Sequence, residues 1–124
     1  MTLRVLVADD QEIVRTGLAM ILGAQDGIEV VATAVDGQDA VEQARDLRPD
    51  VCLLDIRMPR LNGIEATRQI VEQLPGTTVF LCSTYQRADL PPEAETSGFA
   101  AYVNKEELGP DLLRRLWDER PSSG

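Results

Sequence analysis

The chain has 124 residues, 44% of them hydrophobic, with 12 basic against 21 acidic side chains, no histidine and a formal charge of −9. That length fits one domain, able to bury about two-thirds of its unfolded surface without staples, and no apolar run approaches the roughly 18 residues a bilayer span needs. The acidic excess argues against a phosphate-backbone binder, and the lack of histidine removes the usual acid–base catalyst and excludes a histidine phosphodonor.

Strand-like and helix-like segments alternate five times. Leu3-Arg4-Val5-Leu6-Val7-Ala8 reads as a strand closed by Asp9-Asp10. Gln11 to Gly23 carries Val14, Leu18, Ile21 and Leu22 at amphipathic-helix spacing, with Gly23 as its stop. A second strand covers Ile28 to Ala32. Asp36 to Leu47 then places Ala40, Ala44 and Leu47 on one helical face, and Pro49 marks the boundary before the next strand. Val51-Cys52-Leu53-Leu54 is that third strand, closed by Asp55. After Asn62-Gly63 a helix turns Ile64, Thr67, Val71 and Leu74 inward and ends before Pro75-Gly76. Thr78 to Cys82 is the fourth strand and Ala100 to Val103 the fifth. A last helix follows Gly109-Pro110, with proline at its first position and Leu112, Leu113, Leu116 and Trp117 as a wide apolar stripe.

Alternating strands and helices imply an α/β fold with parallel strands and right-handed crossovers. Ligands in such sheets bind at the carboxyl ends of the strands. Asp9, Asp10 and Asp55 would converge there, repelling one another unless a cation sits among them, and a hard oxygen-seeking ion such as Mg²⁺ suits that donor set. An aspartate pair before Gln11-Glu12-Ile13 could equally cap the first helix. Cys52 and Cys82 lie inside apolar runs, with neither metal-ligand nor disulfide spacing, and read as buried small hydrophobes. The amino terminus enters a strand directly, so no leader and a cytoplasmic location are expected.

Asp55-Ile56-Arg57-Met58-Pro59 followed by Asn62-Gly63, the earlier acidic pair and the late Lys105 together resemble bacterial two-component response-regulator receiver domains. The look is that of receivers from helix-turn-helix, LuxR-type regulators, here without the DNA-binding domain. The resemblance runs from about Leu3 to Arg120, so residues 1–120 form the receiver and 121–124 a polar tail. It implies a flavodoxin-like, chemotaxis-regulator-like (βα)5 three-layer sandwich with strand order 2-1-3-4-5, an order already tied to receivers in general descriptions of doubly wound folds.

By the same resemblance, Asp55 accepts a phosphoryl group from a sensor histidine kinase. Asp10 ligates Mg²⁺ directly, Asp9 directly or through water, and Asp55 and the main-chain carbonyl of Arg57 complete the protein's share. Lys105 pairs with the phosphoryl oxygens as a point charge. Ser83 is the expected switch hydroxyl, with Thr84 the alternative one residue on, and Tyr102 is the aromatic switch residue. The domain would then change a protein-binding surface toward an unnamed output protein, with no membrane or direct nucleic-acid contact.

Two departures stand out. Pro91 and Pro92 confine any fourth helix to roughly Pro92 to Ser97 within the stretch Tyr85 to Gly98. Helix 4 should be short, which leaves open whether a homodimer forms through the helix 4–strand 5–helix 5 face many relatives use. The chain also stops after Pro121-Ser122-Ser123-Gly124, which favours a stand-alone receiver over one excised from a DNA-binding transcriptional regulator. A phosphatase of the haloacid-dehalogenase type, which works through an aspartyl intermediate, would place a second aspartate two residues after the nucleophile, where this chain has Arg57. A phosphorylation-independent docking receiver is the remaining alternative.

Overall fold

The structure is a computed structural model that describes residues 2–84 and 86–120. Tyr85 and the tail 121–124 lie outside the described residues. The elements run β1 (Leu3–Ala8), α1 (Glu12–Gly23), β2 (Ile28–Ala34), α2 (Gly37–Leu47), β3 (Val51–Asp55), α3 (Gly63–Gln73), β4 (Thr78–Ser83), α4 (Pro92–Glu95), β5 (Ala101–Asn104) and α5 (Pro110–Glu119). Single 3-10 turns, Arg87–Asp89 and Lys105–Glu107, precede α4 and α5. The five strands pair in parallel in the order β2-β1-β3-β4-β5, as expected.

Successive side chains on a strand point to opposite faces, and that parity sorts the core into two layers. Leu6, Ala8, Cys52, Leu54, Val79 and Leu81 face α2, α3 and Ala94 of α4. Val5, Val7, Val51, Leu53, Phe80, Cys82 and Val103 face α1 and α5, where Leu22 and Leu113 are buried among them. Strands covered on both faces need near-continuous apolar runs, and β3 is buried at every position. The thiols of Cys52 and Cys82 are pushed up to about 12 by burial, so they are packing groups with little thiolate character.

Two helical faces differ from their expected form. Leu47 is 37% exposed, and Val41 is buried beside Ala40 and Ala44 instead. Leu47 is the last helical residue, followed by Arg48 in the left-handed region at φ 49°, so the chain is already turning off the sheet. Ile21 is 52% exposed, because Leu18 and Leu22 alone fill the gap between α1 and the sheet. Strand β2 runs two residues past its expected end, continuing its pairing with β1 through Thr33 and Ala34 beyond an irregularity at Val5/Leu6.

The fourth helix is a four-residue remnant with Pro91 as N-cap and Pro92 at the first position. Its backbone is held by Ala94 N–H to Pro91 O at 3.0 Å and Ser97 N–H to Ala94 O at 3.1 Å, and the Ser97 hydroxyl donates to the same Ala94 carbonyl at 2.7 Å. Buried Ala94 is its anchor to the core. With only a single short α-helix and no strand between β4 and β5, residues 88–96 should exchange their amide hydrogens on the order of 100-fold faster than those of β3. Protection equal to that of β3 in hydrogen-exchange mass spectrometry would show a stable helix there.

Candidate functional site at the carboxyl edge of the sheet

Register brings the site together. Ala8 pairs with Leu54, Asp55 with Cys82, and Ser83 with Asn104. The residues at or just beyond these pairs, Asp9, Asp55, Ser83 and Lys105, therefore line one edge. Asp9, Asp55 and Lys105 share the parity of Val7, Leu53 and Val103, so they project on the α1/α5 side. Ser83 has the parity of Leu81, and Tyr102 packs on the α2/α3 layer.

The Lys105 ammonium bridges two carboxylates, 2.6 Å from Asp9 Oδ2 and 3.0 Å from Asp55 Oδ1. Asp9 is buried, and its Oδ1 accepts the Gln11 amide at 2.9 Å. That bond is a turn preceding α1, not a helix cap: the N-cap is Gln11, whose side chain makes no capping bond. The Arg15 guanidinium donates to the main-chain carbonyl of Asp9 at 2.8 Å, tying the acidic pair to α1. Asp10 is exposed, and one oxygen from each of Asp9, Asp10 and Asp55 lies within 4.8 Å of the others. Three carboxylate oxygens so close suit a small hard cation with water or phosphate completing its shell.

Burial raises the Asp55 carboxyl above its usual range, the bond and charge of Lys105 pull it back, and Asp9 and Asp10 push it up further. For Lys105, burial favours the neutral amine, but the hydrogen bonds from its ammonium to Asp9 and Asp55 outweigh it and raise the group above its ordinary value. The lysine is therefore a fixed positive charge at the site. Ser83 is buried at the end of β4, Thr84 is exposed, and both line a cavity of about 310 Å³ with Asp10, Asp55, Arg57 and Lys105. Burial raises the Tyr102 phenol, opposed by its hydrogen bond with Ser83. The two residues expected to switch together are thus neighbours on β4 and β5.

The loop from Ile56 to Asn62 closes the other side. Asn62 caps α3, its side-chain oxygen accepting the Glu65 amide at 2.9 Å. Gly63 donates its amide to Ile56 O at 2.9 Å, and a Cβ there would lie 2.0 Å from the Asp55 carbonyl oxygen. The glycine expected only to serve a turn thus lets α3 abut the backbone of Asp55. Sequence reasoning missed this contact, and it missed Arg15, whose signal was a cation one turn into the helix behind an acidic pair.

The family model for the response regulator receiver domain matches residues 5–116. The chain is 41% identical over 114 residues to the transcriptional regulatory protein LnrK of Bacillus subtilis, covering 92% of this chain and 52% of the relative. It is 38% identical over 103 residues to the response regulator GacA of Pseudomonas viridiflava, covering 83% and 48%. Among solved structures, the response regulator domain of Thermotoga maritima CheB superposes with a TM-score of 0.84 at 33% identity, covering 98% of this chain and 100% of that one. The receiver domain of the putative response regulator NarL from Mycobacterium tuberculosis gives 0.87 at 28%, covering 96% and 98%. The chain belongs to the response-regulator receiver family of two-component systems. It spans about half the length of the curated relatives it matches. No helix among the described residues is long and apolar enough to cross a membrane.

The Asp55 environment makes a stability prediction for the protein in EDTA. Its folded pKa lies above the unfolded value of about 3.9, so between the two the folded state holds the proton more often. Stability then falls as pH rises through that window, and the cost of the charged form is fully present above the folded pKa. Asp55→Asn should raise the urea midpoint at neutral pH, and the gap to wild type should close as the pH is lowered through the raised pKa. A gap that does not change with pH would mean that Asp55 carries no such cost. Gly63→Ala should lose about 1–3 kcal/mol in the same melts, because the added methyl meets backbone that cannot swing away.

Proposed function

We propose that this chain is a phosphoacceptor receiver that takes a phosphoryl group from a sensor histidine kinase on Asp55 and alters a protein-binding surface in response. The observation that carries this reading is the Lys105 ammonium bridging Asp9 and Asp55, with Asp10 beside them. A carboxylate is a weak nucleophile, and its attack on phosphorus is productive when the phosphoryl oxygens are neutralised and the groups are held in line. An Asp55 oxygen forms the new O–P bond, and the donor's leaving group departs with the electron pair of the bond that breaks. Mg²⁺, held by Asp9, Asp10, Asp55 and the main-chain carbonyl of Arg57, would supply positive charge to the phosphoryl oxygens. Lys105 already faces Asp55 and needs only to exchange a carboxylate contact for a phosphoryl oxygen.

Ser83 is the better candidate for the switch hydroxyl than Thr84. It is the buried end of β4, one residue past Cys82, which pairs with Asp55, and it lies close enough to Tyr102 to act on the phenol. Phosphorylation would draw Ser83 toward the acceptor and bias the Tyr102 ring inward, carrying the signal to the α4–β5 surface. A signalling module, not an enzyme acting on a separate substrate, fits an exposed Arg57 two residues after the acceptor. A second reading, the receiver portion of a DNA-binding regulator, is favoured by the matched region being only 52% of a relative named a transcriptional regulatory protein. In either case the charge of −9 speaks against DNA contact by this domain itself.

Intact mass after incubation with acetyl phosphate and Mg²⁺ should show one phosphoryl group on wild type and none on Asp55→Asn. Equal labelling of both would sink the assignment. Asp10→Asn should weaken Mg²⁺ binding on the order of 10-fold or more and slow phosphorylation with it. Calorimetry giving an unchanged affinity would place the ion elsewhere.

A further inference from the structure

Asp36 is a buried carboxylate outside the acidic cluster, and its two oxygens face different elements. Oδ1 accepts the Asp39 amide at 2.8 Å and caps α2. Oδ2 lies 3.2 Å from Arg60 Nε, in the loop that follows the acceptor, and the Asp36 side chain is 3% exposed. Serine, threonine or asparagine would cap the helix without burying a charge. The second oxygen is thus the reason to look for a role beyond capping.

An ion pair to Arg60, whose side chain is 74% exposed, contributes little stability against the cost of desolvating the carboxylate. What it does is hold backbone. Arg60 sits at φ 66°, one of two non-glycine residues with positive φ among the described residues, and a conformation of that kind persists only when its surroundings enforce it. The next contact is equally specific: a Cβ on Gly37 would lie 1.8 Å from the Leu61 carbonyl oxygen, so the first turn of α2 presses directly on the loop. Leu61 in turn donates its amide to Pro59 O at 2.7 Å. The loop is pinned at Arg60–Leu61 by α2 and at Ile56 by the Gly63 amide of α3, and Arg57 lies between the two pins.

We infer that Asp36, with Gly37 and Arg60, is a positioning clamp that sets the backbone of the acceptor loop, and hence the main-chain carbonyl of Arg57, for metal binding. Neither Asp36 nor Arg60 touches the acidic cluster, so the clamp acts through the loop alone. The inference rests on the metal-assisted reading above and adds the α2 amino terminus to the residues that decide Mg²⁺ affinity.

The test is calorimetric Mg²⁺ titration of the whole chain as wild type, Asp36→Asn, Arg60→Gln and the double variant, with thermal melts of each in EDTA. Asparagine keeps an oxygen for the Asp39 amide and turns an amide group toward Arg60, removing the pair while sparing the cap. Each single variant should weaken Mg²⁺ binding about 5-fold, short of the roughly 10- to 100-fold seen when a group bonded directly to a ligand is lost. The double variant should be no weaker than the worse single one, since both remove the same contact, and the melting temperatures should stay close together. Gly37→Ala should weaken binding further if it folds. Unchanged affinity in Asp36→Asn, additive losses in the double variant, or a fall in melting temperature matching the loss in affinity would overturn the clamp. Absence of Mg²⁺ binding by wild type would overturn the metal-assisted reading and the clamp together, whereas wild-type binding equalled by Asp36→Asn would overturn the clamp alone.

Discussion

A single ammonium group held between two carboxylates at the edge of a parallel sheet organises this molecule. Lys105 reaches Asp9 and Asp55 from 96 and 50 positions away along the chain, and it does so because β1, β3 and β5 end in register on the same side of the sheet. Two carboxylates taken out of water each carry a desolvation cost of several kcal/mol unless paired and hydrogen-bonded. Asp9 meets that requirement with the lysine and the Gln11 amide. Asp55 meets it less fully, and its raised carboxyl is the sign of a charge held at some cost. A site in that condition responds strongly to added positive charge or to covalent change.

The backbone around the site is held with matching economy. Two glycines, Gly37 and Gly63, allow helix starts to press on main-chain carbonyls at distances no side chain would permit. The loop between β3 and α3 is consequently braced by two helices, although it carries little secondary structure of its own. Precision in such a loop comes from what packs against it, because a free loop of this length would sample many conformations. The clamp and the acidic cluster are thus parts of one problem, the placement of several oxygens around a common point.

The opposite flank carries less regular structure. Strand β4 ends at Ser83, and the fourth helix is reduced to Pro92–Glu95, anchored through Ala94. A rigid helix sliding on the sheet is one form of switching element, whereas a single short turn can respond by changing its order. Ser83 and Tyr102, on the neighbouring strands β4 and β5, lie between the two flanks.

The alternation of strands and helices was legible in the sequence because each segment's burial follows its own local period, and the two prolines announced the truncated fourth helix because proline acts on its immediate neighbours. The acidic residues ending the first and third strands, and the lysine after the fifth, were legible as candidates for the same reason. Local pattern could not say that Asp9 is buried and Asp10 exposed, or that Leu47 and Ile21 face solvent. Nor could it say that Ser83 is buried and Thr84 exposed, adjacent residues that differ by one step of strand parity. Those outcomes depend on where the sheet edge stops and how far each helix overhangs it. The Asp36–Arg60 pair and the contacts of Gly37 and Gly63 join segments that only the strand order β2-β1-β3-β4-β5 makes neighbours. Periodicity reports which face of an element is apolar, while distance between elements is decided by packing, and the site is made of those distances.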